Sequence, residues 1–158
     1  MSQIQPKSPF RFDSFVITES HFVREPKEKI GELEVKIEPR AVIDKEKRVF
    51  TLVLEVHAYE ENGRFDAKVT AIGFFDFKND ISKDHLSSYF YTNAPAILFP
   101  YIRAHISTLT ALSGMEAVNL PAMKMTAVGE KLKEQTFDQF EEGENNAEKS
   151  NEDTTEKT

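Results

Sequence analysis

Residues 49–77 read VFTLVLEVHAYEENGRFDAKVTAIGFFDF, and this stretch decides the fold. Its first part, residues 49–60, is rich in β-branched and apolar side chains, which favours a central strand. The dipeptide Asn62-Gly63 that follows tolerates positive φ and is a strong hairpin signal. Residues 65–77 then alternate, and one face holds Phe65, Ala67, Val69, Ala71, Gly73, Phe75 and Phe77. The stretch therefore predicts two antiparallel strands.

Two further strands are expected before this hairpin. Residues 32–38 alternate between charged and apolar side chains, which predicts a strand with one wet face. Residues 15–23 carry apolar side chains on both parities, so neither face is purely polar, and Pro26 predicts the end of the strand. One parity holds Phe15, Ile17, His21 and Val23, and the other holds Val16, Thr18, Ser20 and Phe22. We interpret this strand as covered twice or paired at an interface, within a four-stranded antiparallel meander.

The second half of the chain has helical periodicity. Asn93 and Pro95 are typical of a helix start. Apolar residues recur at helical spacing from residue 97 to residue 112, and Gly114 is a plausible stop. Pro100 either kinks this helix or marks its true first turn. The pattern therefore predicts one long helix after the sheet.

A crossing loop, a second helix and a tail are expected to follow. Met115–Met125 lacks clear periodicity, and a second helix is predicted from Thr126. Residues 144–158 are acidic and nearly free of apolar side chains, so we expect a disordered tail. The fold class expected is α+β, with one domain over residues 1–143.

Composition narrows the function classes. The chain has 158 residues, no cysteine and a formal net charge of −7. The absence of cysteine excludes disulfides and thiolate sites, and an acidic balance argues against nucleic-acid binding. No apolar run resembles a secretory signal or reaches the ~18 residues of a membrane span. We therefore expect a cytoplasmic protein with no direct membrane insertion.

Sequence motifs for catalysis are missing. The four histidines are scattered at positions 21, 57, 85 and 105, without metal-ligand spacing. The chain has no nucleophile elbow and no phosphate-binding glycine loop. We expect no enzyme, with no catalytic residue, no metal and no cofactor. A small-ligand binder of a helix-on-sheet type, with aromatic side chains around a closed cavity, stays open as an alternative.

The start of the long helix carries a family resemblance. Residues 94–103 read APAILFPYIR, which resembles the P-x-x-L-F-P-Y-x-R signature of the SecB family of protein-export chaperones. The matching residues are Pro95, Leu98, Phe99, Pro100, Tyr101 and Arg103. Residues 119–121 resemble the family's N-L-x-P stretch, with the proline one place early. The expected order of elements is also similar, over roughly residues 10–140.

The resemblance implies a chaperone without ATPase activity. Such a holdase binds unfolded preproteins in apolar grooves and passes them to the motor SecA. It forms a homotetramer, built as a dimer of dimers. The resemblance places the groove at Phe75, Phe77, Leu120, Met123, Met125 and Val128, and it places Tyr101, His105 and Leu109 in the oligomer interface.

The resemblance also points to a divergent member. Typical members dock SecA through an acidic sheet face on the first and fourth strands. The corresponding positions here are Ser20, Arg24, Asp66 and Lys68, of which two are basic. This departure leaves a second interpretation open, namely a SecB-like chaperone dedicated to an antitoxin.

Overall fold

The computed structural model describes residues 10–26, 29–78 and 90–135. Its four strands are β1 (Phe10–Arg24), β2 (Glu34–Asp44), β3 (Val49–Tyr59) and β4 (Phe65–Phe77). Its two helices are α1 (Asn93–Ala111) and α2 (residues 126–135). The strands form one antiparallel sheet. The expected α+β class, with four strands followed by two helices, is confirmed.

The order of strands in the sheet is β1-β4-β3-β2. β2, β3 and β4 form the expected meander, but β1 pairs with β4 instead of β2. The connection between β1 and β2, residues 25–33, is longer than a tight hairpin loop and contains Pro26. It lets β1 reach the far side of the sheet. β1 and β2 are therefore the two edge strands.

Two irregularities in β1 change which side chains share a face. Register shifts occur between Phe12 and Ser14 and between Ile17 and Glu19. Such bulges place an extra residue on one strand, so the alternation changes phase beyond them. Ser20 lies opposite the buried Val69, on the side of the sheet that Ile17 also faces. The predicted parity of residues 15–23 is therefore wrong beyond Ile17.

The core lies between one face of the sheet and the two helices. β3 and β4 contribute every second residue to it, as the alternation in residues 65–77 predicts. The largest side chains among these fully buried residues are Phe50, Leu52, Leu54, Val56, Phe65 and Phe75. Leu98, Ile102 and Ile106 of α1 and Leu132 of α2 are buried as well. The hairpin loop covers residues 60–64, and Gly63 adopts a φ of 75°.

Pro100 lies inside α1, so the helix does not begin at this residue. Its ring leaves the carbonyl of Ala96 without an N–H donor from the next turn. Both residues are exposed, so water can satisfy that carbonyl. The helix ends at Ala111, and Gly114 follows with a φ of 83°.

A glycine lets α2 approach the start of α1 closely. A Cβ atom on Gly129 would lie 2.6 Å from the carbonyl oxygen of Tyr91. Real Cβ atoms do not tolerate such a distance, so only glycine fits here without a shift. The low helix propensity of Gly129 is therefore offset by a close backbone contact.

Three observations concern the limits of the described chain. The predicted tail, residues 144–158, lies outside the described residues, so the domain limits stay predictions. None of the described helices is both long and apolar enough to cross a membrane. Among residues 10–26, 29–78 and 90–135, no group of three or more histidine, aspartate or glutamate side chains could hold a metal ion.

Candidate functional site

A groove of about 400 Å³ follows the edge of β2. It is lined by Val35, Lys36, Ile37 and Glu38 of β2, Met123 and Lys124 of the crossing loop, and Ala127, Val128 and Lys131 of α2. Four consecutive strand residues line it although successive side chains point to opposite faces. The groove therefore runs along the edge of the strand. We call it the β2 groove.

The β2 groove combines a free strand edge with an apolar wall. Within the described residues, β2 pairs on one side only, with β3. Its outer N–H and C=O groups can form hydrogen bonds with another extended chain. Ile37 and Val128 are buried and Met123 is half-buried, and methionine adapts its shape to different neighbours. Such an edge can bind an extended peptide by adding it as a strand.

The rim of the β2 groove carries three cations and one anion. Lys131 Nζ lies 3.0 Å from Glu38 Oε1, so this ion pair joins α2 to β2. Lys36 Nζ lies 5.2 Å from the centre of the Tyr59 ring. A hydrogen bond with Tyr59 raises the pKa of Lys36. Lys124, on the crossing loop, is exposed. Glu34 also acts electrostatically on Lys36, so carboxylates offset much of the positive charge at the rim.

Hydrogen bonds fix the first half of the crossing loop. The backbone N–H of Val118 donates to Thr110 Oγ1 over 2.8 Å, and this hydroxyl donates to the carbonyl of Ile106 over 2.8 Å. Arg24 Nη1 donates to the carbonyl of Glu116 over 2.8 Å. The buried Leu120 follows. The loop is thereby held against α1 and β1 before it reaches the β2 groove.

The six residues that the sequence assigned to the client groove fall into two groups. Met123 and Val128 line the β2 groove. Leu120 and Met125 are buried beneath the loop. The rings of Phe75 and Phe77 are 0% and 6% exposed, and Phe75 stacks on Phe10 with ring centres 4.8 Å apart. A role of these two phenylalanines in client binding stays a prediction, and in the folded chain both are closed off in the core.

Sequence reasoning did not assign any residue of β2 to the groove. The alternation in residues 32–38 predicts only that one face of this strand is apolar. The signal that could have found them is the position of β2 at a sheet edge. That position follows from the pairing of β1 with β4, which the meander expectation did not include.

The other edge of the sheet exposes aromatic side chains. Phe15, Val16 and Tyr101 are 38%, 44% and 41% exposed. The Tyr101 ring packs on Phe15 and Phe12, with ring centres 4.3 and 5.6 Å apart. We call Phe12, Phe15, Val16 and Tyr101 the β1 edge surface.

The predicted interface residues of α1 lie next to this surface. His105 and Leu109 follow Tyr101 at intervals of four residues, so all three share one side of the helix. His105 Nε2 and Ser20 Oγ are 2.6 Å apart, which ties this side of α1 to β1. His105 and Leu109 are half-buried. The structure thus brings together the three residues that sequence analysis assigned to an oligomer interface.

The four predicted SecA-docking positions lie on two faces of the sheet, and their role in docking stays a prediction. Ser20 lies opposite Val69 and Arg24 lies opposite Phe65, so both are on the helix side of the sheet. Asp66 and Lys68 are on the other face. There Asp66 Oδ2 lies 2.9 Å from a nitrogen of His57, and Lys68 Nζ lies 3.0 Å from an oxygen of Glu55. The physical reason is the bulged register of β1.

A helix-on-sheet module with a free strand edge beside an adaptable apolar groove has the geometry of a receptor for extended polypeptide. The chain belongs to the SecB family, because residues 14–136 match the family model described as preprotein translocase subunit SecB. This match covers most of the described residues, including the whole of β2, β3, β4 and α1.

Two relatives extend this result. An uncharacterised protein of Methanocaldococcus jannaschii is 30% identical over 148 residues, which is 86% of this chain and 94% of the relative. A SecB-like chaperone of Mycobacterium tuberculosis, solved with a peptide from an antitoxin, superposes with a TM-score of 0.62. Its sequence is 20% identical, and the match covers 72% of this chain and 90% of that one. At this identity the structural likeness shows a shared fold.

Proposed function

We propose that the protein is a holdase chaperone, which binds extended segments of unfolded polypeptides in the β2 groove without using ATP and without catalysis. The observation that carries this proposal is the free edge of β2 opposite Met123 and Val128. Backbone pairing with a strand edge makes little demand on client sequence, and pockets for alternate side chains add affinity. A folded client has already buried these groups and is not bound.

The size of the β2 groove determines how strongly one subunit can bind. The four β2 residues in its wall, Val35 to Glu38, span about 13 Å at ~3.3 Å per residue. One groove therefore contacts about four residues of an extended client. Such a short contact gives weak binding, so a useful holdase has to present several grooves to one chain.

Assembly through the β1 edge surface supplies these additional grooves, and the homotetramer is the second part of the proposal. β1 is a 15-residue strand at the edge of the sheet. A long edge with exposed aromatic side chains is an aggregation hazard unless another element covers it. Pairing with a second copy would cover both the strand edge and Tyr101.

The proposed clients are unfolded preproteins in the cytoplasm, held competent for export through the Sec translocase. SecA is the proposed recipient of these clients, and because the four positions named above lie on two faces, at most two of them can belong to one flat docking surface. A second candidate is a chaperone dedicated to an antitoxin. The structure of the Mycobacterium tuberculosis relative with an antitoxin peptide favours this candidate.

The holdase activity can be tested with Met123→Ala. We expect this variant to need several-fold more protein to suppress aggregation of a denatured, slow-folding protein, since an adaptable apolar contact is lost. Its melting temperature should stay close to that of the wild type. Met115→Ala is the matched control, because Met115 is also half-buried in the crossing loop but does not line the groove. Equal activity of both variants and the wild type would remove the β2 groove from client binding.

The two candidate functions differ in client range. An export chaperone should bind several unrelated unfolded preproteins with similar affinity. A dedicated chaperone should bind one antitoxin segment much more tightly than any of them. Titrations of the full-length protein with both kinds of client distinguish these outcomes. A monomer that binds neither would contradict the proposal and favour the small-ligand alternative.

A further inference from the structure

We propose that the protein has a second binding site, which takes a short apolar peptide with a free amino end and a free carboxyl end. The site lies between the end of β1 and the first half of the crossing loop. It shares no lining residue with the β2 groove, so this inference stands apart from the holdase proposal.

The site is a cavity of about 540 Å³, which we call the loop cavity. This volume is within the usual range for sites of small organic ligands. Three parts of the chain line the cavity, namely β1, the connection between β1 and β2, and the crossing loop. They contribute Arg24, then Lys29 and Ile30, and then residues 115–118.

Apolar side chains form one part of this lining. Ile30 and Met115 are half-buried, and Val118 is buried. Contact with these side chains removes the apolar surface of a ligand from water, which favours binding. The loop cavity therefore suits a ligand with an aliphatic body.

A guanidinium group without an anionic partner forms another part. Arg24 is half-buried, and its Nη1 donates to a neutral acceptor, the carbonyl of Glu116, over 2.8 Å. Among the residues that the structure describes, the buried Arg24 Nε has no acceptor, and no carboxylate pairs with Arg24 or Lys29. Charges away from water are normally paired, so Arg24 indicates an anionic group on the ligand.

A ligand with negative charge alone does not fit the loop cavity. The Glu116 carboxylate belongs to the lining and has no cationic partner within the described part of the chain. The buried Glu60 carboxylate is close by, since it accepts a hydrogen bond from the N–H of Gly31, the residue after Ile30. Both carboxylates repel an anion and attract an ammonium group. The site therefore matches a ligand that carries one charge of each sign.

A short peptide with free ends has this combination. Its carboxylate can accept hydrogen bonds from Arg24, because a planar guanidinium matches the geometry of a carboxylate. Its ammonium group can lie beside Glu116, and its apolar side chains can contact Ile30, Met115 and Val118. A segment inside a long client has no charged ends, so it does not satisfy these groups.

Isothermal titration calorimetry with three forms of the dipeptide Leu-Leu tests this proposal on the full-length protein. One form has both ends free, one has an acetylated amino end, and one has an amidated carboxyl end. We expect the free form to bind most tightly. Each blocked form should bind about threefold more weakly, since it loses one partly exposed ion pair.

Two variants assign each end of the dipeptide to its partner. Glu116→Gln should weaken binding of the free form but not of the acetylated form, which has no ammonium group. Lys29→Gln should weaken binding of the free form but not of the amidated form, which has no carboxylate. Both residues are exposed, so neither change disturbs the core. Lys133→Gln, at an exposed residue of α2 outside the cavity, is the control and should leave all three affinities unchanged.

Three outcomes would overturn the proposal. The first is equal affinity for the three forms, and the second is the absence of measurable binding. The third is a loss of dipeptide binding in Met123→Ala, which would assign the dipeptide to the β2 groove. The holdase proposal is tested separately, with an unfolded client.

Discussion

The two edges of the sheet differ in chemistry. In the β1 edge surface the rings of Phe12, Phe15 and Tyr101 pack on one another, and Val16 is the aliphatic member. The β2 groove is bounded by methionine, short aliphatic residues and lysines. Rigid aromatic side chains lose little conformational entropy on binding, which would suit a constant partner such as a second subunit. Methionine adapts its shape to different neighbours, which would suit the variable clients of the proposed holdase.

The largest effect, a loss of stability, is expected for a substitution at the contact between β1 and the core. Phe75→Ala removes a fully buried ring that contacts Phe10 and Phe12 of β1 and Phe50 of β3. A cavity of this kind costs about 3–5 kcal/mol of stability. Urea unfolding measures the loss. Phe74→Ala is the control, since Phe74 is half-buried on the opposite face of β4 and should cost clearly less. Equal losses would mean that the two faces are equally covered in solution, through assembly.

The next effect separates the two edges. Tyr101→Glu places a charge in the β1 edge surface, and we expect the proposed oligomer to dissociate while a single β2 groove still binds peptide. Light scattering measures the mass against the 18.1 kDa of one chain. Leu112→Glu is the control, because Leu112 is 81% exposed near the end of the same helix. An unchanged mass for Tyr101→Glu would place the interface elsewhere.

A smaller effect is expected where α2 forms one wall of the β2 groove. Gly129→Ala gains about 1 kcal/mol of helix propensity, but its Cβ atom meets the Tyr91 carbonyl at 2.6 Å. Overpacking typically costs about 1–3 kcal/mol, so we expect a net loss of stability. Ala127→Gly, at an exposed position of α2, measures the propensity contribution alone. A more stable Gly129→Ala variant would show that α2 can move away without cost.

The smallest effect concerns the turn at the end of β2. Asp44 accepts a hydrogen bond from the backbone N–H of Lys47 over 2.9 Å, and this bond lowers the pKa of Asp44. A lowered pKa stabilises the fold above the ordinary value for aspartate, and the contribution is lost as the pH falls through the folded-state value. Asp44→Asn should therefore melt slightly earlier than the wild type at pH 7, and the difference should shrink in acid. A constant difference across this range would exclude the carboxylate as its source.

Sequence patterns predicted the local structure well. The alternation of residues 65–77 identified the buried face of β4, and Asn62-Gly63 located its hairpin. The signature around Pro100 indicated the family, which the match of residues 14–136 confirms.

The pairing of strands that are distant in sequence could not be predicted from local patterns in the same way. β1 pairs with β4 in the structure. No local sequence pattern determines which strand β1 pairs with. The bulges after Phe12 and Ile17 shift the phase of a strand whose two parities are both apolar. Of the predicted groove residues only Met123 and Val128 line the β2 groove, because membership depends on which strand lies at the edge. The low helix propensity of Gly129 gives no indication of its close contact with the Tyr91 carbonyl.

The placement of β1 and β2 at opposite edges limits how clients can be spaced. If two subunits join through β1, their sheets become continuous, with a β2 groove at each end. Seven strand spacings of about 4.8 Å would then separate the grooves by roughly 34 Å, a distance that about ten extended residues can span. Once one client segment is bound, a second segment at that spacing reaches the other groove at an effective concentration of about millimolar. The assembly would then retain clients whose apolar segments recur at this interval. It would release clients whose apolar segments lie closer together.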